Sequence, residues 1–351
     1  MAGNDLISQS LRADSAVHAD VRAVLTNWRR LTGGTEKLPA NKRRTLVACS
    51  AGSDSTALAL ILASASDEVG IAHVVHDIRP PEQTRPDRDA AAQLALGLGL
   101  PFLEASVQVA GAEGNTEDNA RRARYRELAR IARENNCPFI ATGHQADDAA
   151  ETMLMRLIRG TGPRGMRGVA ERRALKGGAV VIRPMLAVTR QSAERICKAC
   201  GVTWRHDASN DDTARTRAAI RAGVMPELER ISQGATMRMA RAAQLNEQLY
   251  EVLGHEADRL RDRGQAAENG RVWQRKALRG AHPLVLGEMV RASAGESGLD
   301  KSSAQLEHLI EAIRDRSGEL RLIRVGDSMW VVRASVVEVS RAQPEPVGPQ
   351  V

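Results

Sequence analysis

Short apolar runs alternate with longer segments of helical periodicity between residues 45 and 200, and this alternation constrains the fold more than any other feature. Strands separated by helices along the chain favour a parallel sheet with helices on both faces, which is an α/β fold. Ligands of such sheets bind at the carboxyl ends of the strands. The predicted strands are 45–50, 70–76, 102–109, 139–144 and 179–185, and the predicted helices are 54–64, 86–99, 117–135, 146–159 and 189–200.

The sequence predicts four parts. Residues 1–44 form a helical extension, and residues 45–225 form the α/β domain. Residues 226–341 form a smaller α+β domain, because helical patterns at 226–262 and 303–315 precede strand patterns at 320–325, 329–334 and 336–341. The tail 342–351 is rich in proline and polar residues, which predicts disorder.

Charge and composition narrow the function classes. The chain has 351 residues and a net charge of +7, and most of its basic residues are arginine. Arginine suits phosphate and guanine, so the charge favours a nucleic-acid partner, although a GC-rich genome also enriches arginine. Four cysteines are too few for a disulfide framework in a chain of this length. The polar N-terminus argues against a secretory signal, and the lack of an apolar run near 20 residues argues against a membrane span. We expect a cytoplasmic protein.

The stretch SAGSDS at 50–55 joins the first predicted strand to the first predicted helix. Backbone N–H groups of a small-residue loop and of a helix N-terminus converge there, which predicts an anion site. The stretch lacks the G-K-[ST] of a Walker loop and the G-x-G-x-x-G of a dinucleotide site. A plain N-capping turn, with Asp54 or Ser55 as the cap, is the alternative.

A second motif lies at 141–168 and runs ATGHQADDAAETMLMRLIRGTGPRGMRG. Its residues His144, Asp148 and Glu151 are spaced three or four apart, and Asp147 reaches Glu151 at i+4. Carboxylates with a histidine beside a phosphate loop suit Mg²⁺ and its nucleotide, whereas a capped and solvated helix start is the alternative. The following Gly-rich loop carries Arg164 and Arg167, which suit a polyphosphate or RNA.

The two motifs carry a family resemblance. SAGSDS resembles the S-G-G-x-D-S loop of the N-type ATP pyrophosphatases, or PP-loop enzymes, and the second motif resembles G-H-x-x-D-D-x-x-E-T…R-G-[ST]-G of the tRNA(Ile)-lysidine synthetases. Residues 45–230 carry the resemblance, which four further segments support: HVVHDIRP (73–80), EDNARRARYREL (117–128), RPML (183–186) and WRHDASNDDTARTRAAIRAGVMPEL (204–228).

The resemblance implies a PP-loop ATP pyrophosphatase domain followed by a tRNA-recognition domain. It implies that ATP adenylates the C2 oxygen of the wobble cytidine in a CAU-anticodon tRNA(Ile), and that free L-lysine then displaces AMP to give lysidine. It assigns ATP binding to the loop (Ser50, Ala51, Gly52, Ser53, Asp54 and Ser55), Mg²⁺ to Asp54 and Asp148, and catalysis to Asp54, His144, Asp148, Arg121 and Arg217. A weaker substrate set is Asp147, Glu151, Arg164 and Arg167. The sequence leaves a homodimer open.

Three residues depart from the family pattern: Ala51 and Asp77 replace glycines, and Ala218 replaces an asparagine. An alanine at residue 51 costs about 1–2 kcal/mol if the position requires a positive φ. The pair Cys197 and Cys200 leaves open a sulfur-inserting tRNA thiolase, although buried small apolar residues fit the pattern better. A tRNA-binding paralogue without ATP turnover is the remaining alternative.

Overall fold

The computed structural model describes residues 2–33, 40–78, 80–109, 116–205, 216–268, 270–294 and 303–341. The chain divides into two compact units, Met1–Glu247 and Gln248–Val351. The predicted disordered tail at 342–351 lies outside the described residues.

Unit 1 contains a six-stranded sheet of β1 (Thr45–Ala48), β2 (Val69–His76), β3 (Phe102–Val107), β4 (Phe139–Thr142), β5 (Arg172–Ala174) and β6 (Val180–Ile182). Their order is β3-β2-β1-β4-β6-β5, and all neighbours pair in parallel except the β5–β6 pair. The strand order reverses direction between β1 and β4, which creates a ligand crevice at their carboxyl ends. The predicted α/β fold with a parallel sheet is confirmed.

Helices cover both faces of this sheet. One face packs α1 (Ala2–Ala13), α2 (Ser15–Gly33), α3 (Ser53–Ala63), α4 (Pro81–Gly97) and α7 (Arg190–Ala199) into the largest apolar cluster. The other face packs α5 (Thr116–Glu134) against Leu46, Ile140 and Val181. Helix α3 is apolar all round because it lies between the sheet and other helices, and its residues Ser55–Ala63 are all buried.

The carboxyl-terminal part of unit 1 forms a helical layer beside the crevice. It comprises α6 (Ala146–Ile158), α8 (Thr216–Ala219), a π-helical segment (Ile220–Val224), α9 (Met225–Ile231) and the first half of α10 (Ala235–Asp262). Ala240 of α10 packs against Ala146 and Ala149 of α6. The compact unit therefore extends 22 residues beyond the predicted boundary at residue 225. The functional boundary at that residue stays a prediction.

Unit 2 is an α+β unit with a five-stranded antiparallel sheet in the order β7-β8-β11-β10-β9. Its strands are β7 (Gln265–Ala267), β8 (Gly270–Gln274), β9 (Arg321–Val325), β10 (Ser328–Val332) and β11 (Val336–Arg341), and its short helices are α11 (Arg275–Arg279), α12 (Pro283–Ala294) and α13 (Ser303–Arg314). Trp273 and Trp330 stack at 5.9 Å between ring centroids inside a core separate from those of unit 1. None of the described helices has the length and apolar character that crossing a membrane requires.

Candidate functional site

The loop after β1 is held by the hydroxyl of Ser55, which bonds to the backbone of the loop. Ser50 N donates to Ser55 Oγ at 3.1 Å, and Ser55 Oγ donates to Gly52 O at the same distance. Helix α3 begins with Gly52 as its N-cap, and no side chain caps it. The N-capping alternative with Asp54 or Ser55 is therefore wrong. The first N–H groups of α3 remain available to an anion, as the loop pattern predicts.

Ala51 occupies the left-handed region, with a φ of 65°. Its carbonyl accepts a hydrogen bond from Arg205 N at 2.9 Å, and its methyl is buried within the main apolar cluster. The position therefore requires the backbone conformation that favours glycine, and alanine adopts it at a cost of about 1–2 kcal/mol. The methyl group packs into the core.

The carboxyl end of β4 lies directly against this loop. A Cβ added at Gly143 would lie 2.8 Å from Ser55 N and 2.9 Å from the carbonyl carbon of Asp54. Only glycine permits this approach, which brings the residues after β4 to the start of α3. The two motifs that the sequence singled out therefore form one site.

Asp54 and Asp148 lie close enough at this junction for their charges to interact. Burial and the neighbouring charge of Asp148 together raise the pKa of Asp54 to about 6, against the opposing charge of Arg190. Asp148 accepts hydrogen bonds from Gln145 N at 3.0 Å and from Arg217 Nη2 at 2.8 Å. A carboxylate whose pKa is raised by burial and by a second carboxylate fits a divalent cation, because the charge of the cation stabilises both in the ionised form.

Glu151 lies at the centre of an arginine cluster. Its side chain is only 1% exposed, and its oxygens accept hydrogen bonds from Arg217 Nε and Arg221 Nε, both at 2.7 Å. Arg190 Nη2 lies 3.9 Å from Glu151 Oε1. Asp147 Oδ2 accepts from Arg190 N at 3.0 Å and so holds the start of α7. Both carboxylates therefore position arginines, and their predicted role toward lysine stays a prediction.

His144 is a neutral imidazole. Burial, together with the charges of Arg183, Arg121, Arg217 and Arg124, lowers its pKa to about 3. Its Nδ1 lies 2.8 Å from Thr142 Oγ1. A histidine with this pKa acts near neutral pH as a hydrogen-bonding group and carries no charge.

The remaining predicted residues are Arg121, Arg164 and Arg167. Arg121 on α5 lies near His144, where its charge lowers the pKa of the imidazole, and it also stacks on Tyr125. Arg156 donates to the carbonyls of Gly165 and Gly168 at 2.8 and 2.9 Å and thereby orders the Gly-rich loop. In that loop Arg164 is exposed, and Arg167 Nε donates to Arg164 O.

Asp77 and Ala218 are the other two departures from the family pattern. Asp77 Oδ1 accepts from Val109 N at 2.8 Å and so ties the ends of β2 and β3 together. Ala218 is buried on α8. The segment 206–215, which includes His206, lies outside the described residues.

The cysteines are buried or half-buried thiols. Cys197 Sγ donates to Ser53 O at 3.5 Å, and burial raises its pKa to about 12. Burial also raises the pKa of Cys200 to about 11. The described residues hold no group of three or more metal-ligating side chains of the Cys, His, Asp and Glu types. These thiols therefore behave as apolar core groups.

Sequence reasoning missed three residues of the site: Gln145, Arg190 and Arg221. Gln145 is the N-cap of α6 and is fully buried beside Asp54. Arg221 follows Arg217 by four residues, and this i+4 spacing in the sequence was a usable signal. Arg190 gave no local signal, because only the tertiary fold brings the start of α7 to α6.

A parallel sheet with an anion loop after β1 and a carboxylate pair across the strand-order reversal defines a nucleotide-binding α/β protein of the PP-loop class. The family model described as a PP-loop domain matches residues 24–228. The fold also resembles the U34-tRNA thiolase NcsA from Methanococcus maripaludis, with a TM-score of 0.51 and 18% identity over 67% of this chain and 80% of that one.

Two curated relatives indicate which family of the PP-loop class the chain belongs to. A tRNA(Ile)-lysidine synthase from Salinispora tropica is 35% identical over 75% of this chain and 80% of its own length. The corresponding synthase from Thermus thermophilus is 37% identical over 62% of this chain and 42% of its own length. The chain thus spans most of one relative and less than half of the other. The chain belongs to the tRNA(Ile)-lysidine synthase family.

Proposed function

We propose that this protein joins lysine to C2 of the wobble cytidine of a CAU-anticodon tRNA(Ile), using ATP and releasing AMP and pyrophosphate. The observation that carries the proposal is the junction of Asp54, Asp148 and His144 at the strand-order reversal, in a chain of the tRNA(Ile)-lysidine synthase family. The reaction proceeds through an adenylated tRNA, because the C2 oxygen is a poor leaving group until AMP is attached to it.

In the first step the loop binds the pyrophosphate end of ATP through the N–H groups at the start of α3. Asp54 and Asp148 would hold Mg²⁺, which would supply positive charge to the phosphates. Arg217 is fixed by Asp148 and Glu151 and faces the negative charge that develops on the phosphates. Neutral His144 orients the attacking cytidine oxygen by hydrogen bonding at the adenylation centre.

In the second step the amino group of lysine attacks C2, a C–N bond forms, and the C–O bond to AMP breaks. The amine must first lose a proton, and Asp147 or Glu151 orients it and accepts that proton. Glu151 already accepts hydrogen bonds from two guanidinium groups, so lysine reaches it only when one of these arginines moves. Arg164 and Arg167 on the Gly-rich loop contact the RNA or the polyphosphate.

The two alternatives are less well supported by this structure. A thiolase that relies on a metal cluster needs several cysteines that converge, and the described part of the chain has no such group. A binding paralogue without turnover would not need a buried carboxylate pair next to the anion loop.

The test is a lysine-transfer assay with ATP, Mg²⁺, radiolabelled lysine and an isoleucine tRNA bearing CAU. We expect label in the tRNA with the wild-type protein, and a loss of at least about 100-fold with Asp54→Asn, because one carboxylate of the cation site is removed. Asp67→Asn is the matched control, since Asp67 is exposed beyond the far end of α3.

A tRNA whose wobble cytidine is replaced by uridine should take no label. Consumption of ATP without lysine transfer would contradict the proposal and would indicate another acceptor. Binding of tRNA without pyrophosphate release would contradict it in favour of the binding paralogue.

A further inference from the structure

A tyrosine and three arginines form a second cationic site next to His144, which the reaction above does not use as a unit. We call Arg121, Tyr125, Arg173 and Arg183 the tyrosine–arginine cluster. The guanidinium carbon of Arg173 lies 4.6 Å from the centroid of the Tyr125 ring, and that of Arg121 lies 5.5 Å from it. Guanidinium groups stacked on an aromatic face keep their N–H edges free to bind an anion.

Arg183 makes the cluster strongly cationic at its base. It is 3% exposed, its Nη1 donates to Ala170 O, and its Nε has no hydrogen-bond partner among the described residues. Burial lowers its pKa, and the adjacent Tyr125 opposes that change. A buried guanidinium with an unused N–H group is costly unless an anion is present to accept from it.

The described carboxylates do not neutralise this cluster. Within the described part of the chain, Arg121, Arg173 and Arg183 form no ion pair, and the charges of Arg121 and Arg173 lower the pKa of Arg183 further. Three cations without a counter-charge bind an anionic phosphate in preference to an uncharged ligand.

Sheet position separates the cluster from the loop that binds ATP. Arg183 follows β6, which is two strands from β1, and Arg173 lies on the edge strand β5, one strand further. At about 4.8 Å per strand, Arg183 lies roughly 10 Å from the loop across the sheet. The three residues of β5 are all exposed, so the edge is open to a macromolecule.

We propose that the tyrosine–arginine cluster binds a phosphodiester of the RNA next to the nucleotide that reacts at His144. The inference rests on the proposed function for the identity of the RNA. ATP is the other source of the same phosphate chemistry, but the amides at the start of α3 already serve its pyrophosphate.

The key variant is Arg173→Ala, and Arg172→Ala is its matched control. Both residues are exposed arginines on β5, but successive strand residues point to opposite faces, and it is Arg173 whose guanidinium stacks on Tyr125. We expect Arg173→Ala to raise the Kd for tRNA about fivefold or more at 0.15 M salt and to reduce the slope of log K against log salt by about 1. Arg172→Ala should change both quantities by much less.

Tyr125 gives an independent variant pair. Tyr125→Leu removes the ring that orients two guanidinium groups, so we expect weaker tRNA binding, whereas Tyr125→Phe keeps the ring and should bind nearly as the wild type does. The KM for ATP is measured for each variant alongside the Kd for tRNA. Circular dichroism and the unfolding midpoint confirm that each variant is folded.

A rise in the KM for ATP with an unchanged Kd for tRNA would overturn the inference in favour of an ATP phosphate. Equal effects of Arg172→Ala and Arg173→Ala would overturn it in favour of general surface charge. Failure of the proposed function is separable, because the Kd is measured without lysine. If wild-type protein transfers no lysine yet Arg173→Ala still weakens RNA binding selectively, the subsite stands and only the acceptor chemistry is wrong.

Discussion

Ala51 stands where the family pattern has a glycine, and it adopts the backbone conformation that glycine favours. The sequence predicted a cost only if the residue had a positive φ, and its φ is 65°. The methyl is buried within the main apolar cluster. No sequence signal distinguished these outcomes, because the direction of one Cα–Cβ bond depends on the tertiary packing around it.

Two substitutions at this residue should have different effects. Ala51→Gly relieves about 1–2 kcal/mol of backbone strain but loses about 0.8 kcal/mol of methyl burial and gains unfolded-state entropy. We therefore expect a free energy of unfolding within about 1 kcal/mol of the wild type, with activity equal or higher. Ala51→Val should lose about 2 kcal/mol or more, because a β-branched residue is strained at this φ.

Urea unfolding and the lysine-transfer assay measure both effects. Ala57→Gly on α3 is the control, because Ala57 is a buried residue of the helix interior. Glycine there costs about 0.5–1 kcal/mol in backbone entropy, loses the same methyl burial of about 0.8 kcal/mol and relieves no strain. A large loss of activity in Ala51→Gly would show that the methyl itself holds the loop in place.

At the scale of elements, periodicity predicted the ends of the long and strongly patterned segments to within five residues. The strands β1 to β4 and the helices α3, α5 and α6 lie where the sequence placed them. The sequence did not predict β5, β7 and β8, because three to five residues with mixed polarity carry too little periodicity to indicate a strand. It also missed the break at 232–234 between α9 and α10 and the separation of α1 from α2.

Arg275 stabilises the end of α13 through contacts that no sequence pattern indicated. Its side chain is buried, with only 3% exposed. Its guanidinium donates to the carbonyls of Ile313 at 3.1 Å, Ala312 at 2.7 Å and Arg333 at 3.1 Å. The carbonyls in the last turn of α13 lack intrahelical donors, so the guanidinium serves as a cap between α11, α13 and the end of β10. Buried carbonyls that lose their donor cost about 1–3 kcal/mol each.

We therefore expect Arg275→Met to lower the free energy of unfolding of unit 2 by about 3 kcal/mol or more. Arg279→Met, on the same helix but exposed, should change it by less than about 0.5 kcal/mol. Thermal unfolding followed by circular dichroism compares the two variants. Similar midpoints for both would show that water replaces the arginine at these carbonyls.

For the whole molecule, the sequence predicted which segments meet at the site but not how their charges are arranged. The order of the strands and the two motifs sufficed to bring Asp54, His144 and Asp148 together, since each follows a strand at the same edge of one sheet. The i+4 spacing of Arg217 and Arg221 indicated a shared helix face, but their pairing with Glu151 was not predictable. It depends on the helical segment from Thr216 to Ile231 packing against α6, and the intervening sequence carries no pattern that indicates this path.

The separation of the apolar cores leads to a prediction for the entire chain. The cluster around α3 and the cluster around the Trp273–Trp330 pair share no residue, although helix α10 continues from one unit into the other. Units with separate cores unfold as separate cooperative transitions.

We expect calorimetry to resolve two unfolding transitions. Ala51→Val should lower the midpoint of only one, and Arg275→Met should lower the midpoint of only the other. ATP with Mg²⁺ at 100 times its Kd should stabilise the unit that Ala51→Val destabilises. Its free energy of unfolding should rise by about 2–3 kcal/mol, and that of the other unit should stay unchanged. A single transition that both variants shift equally would show instead that α10 couples the two cores into one cooperative unit.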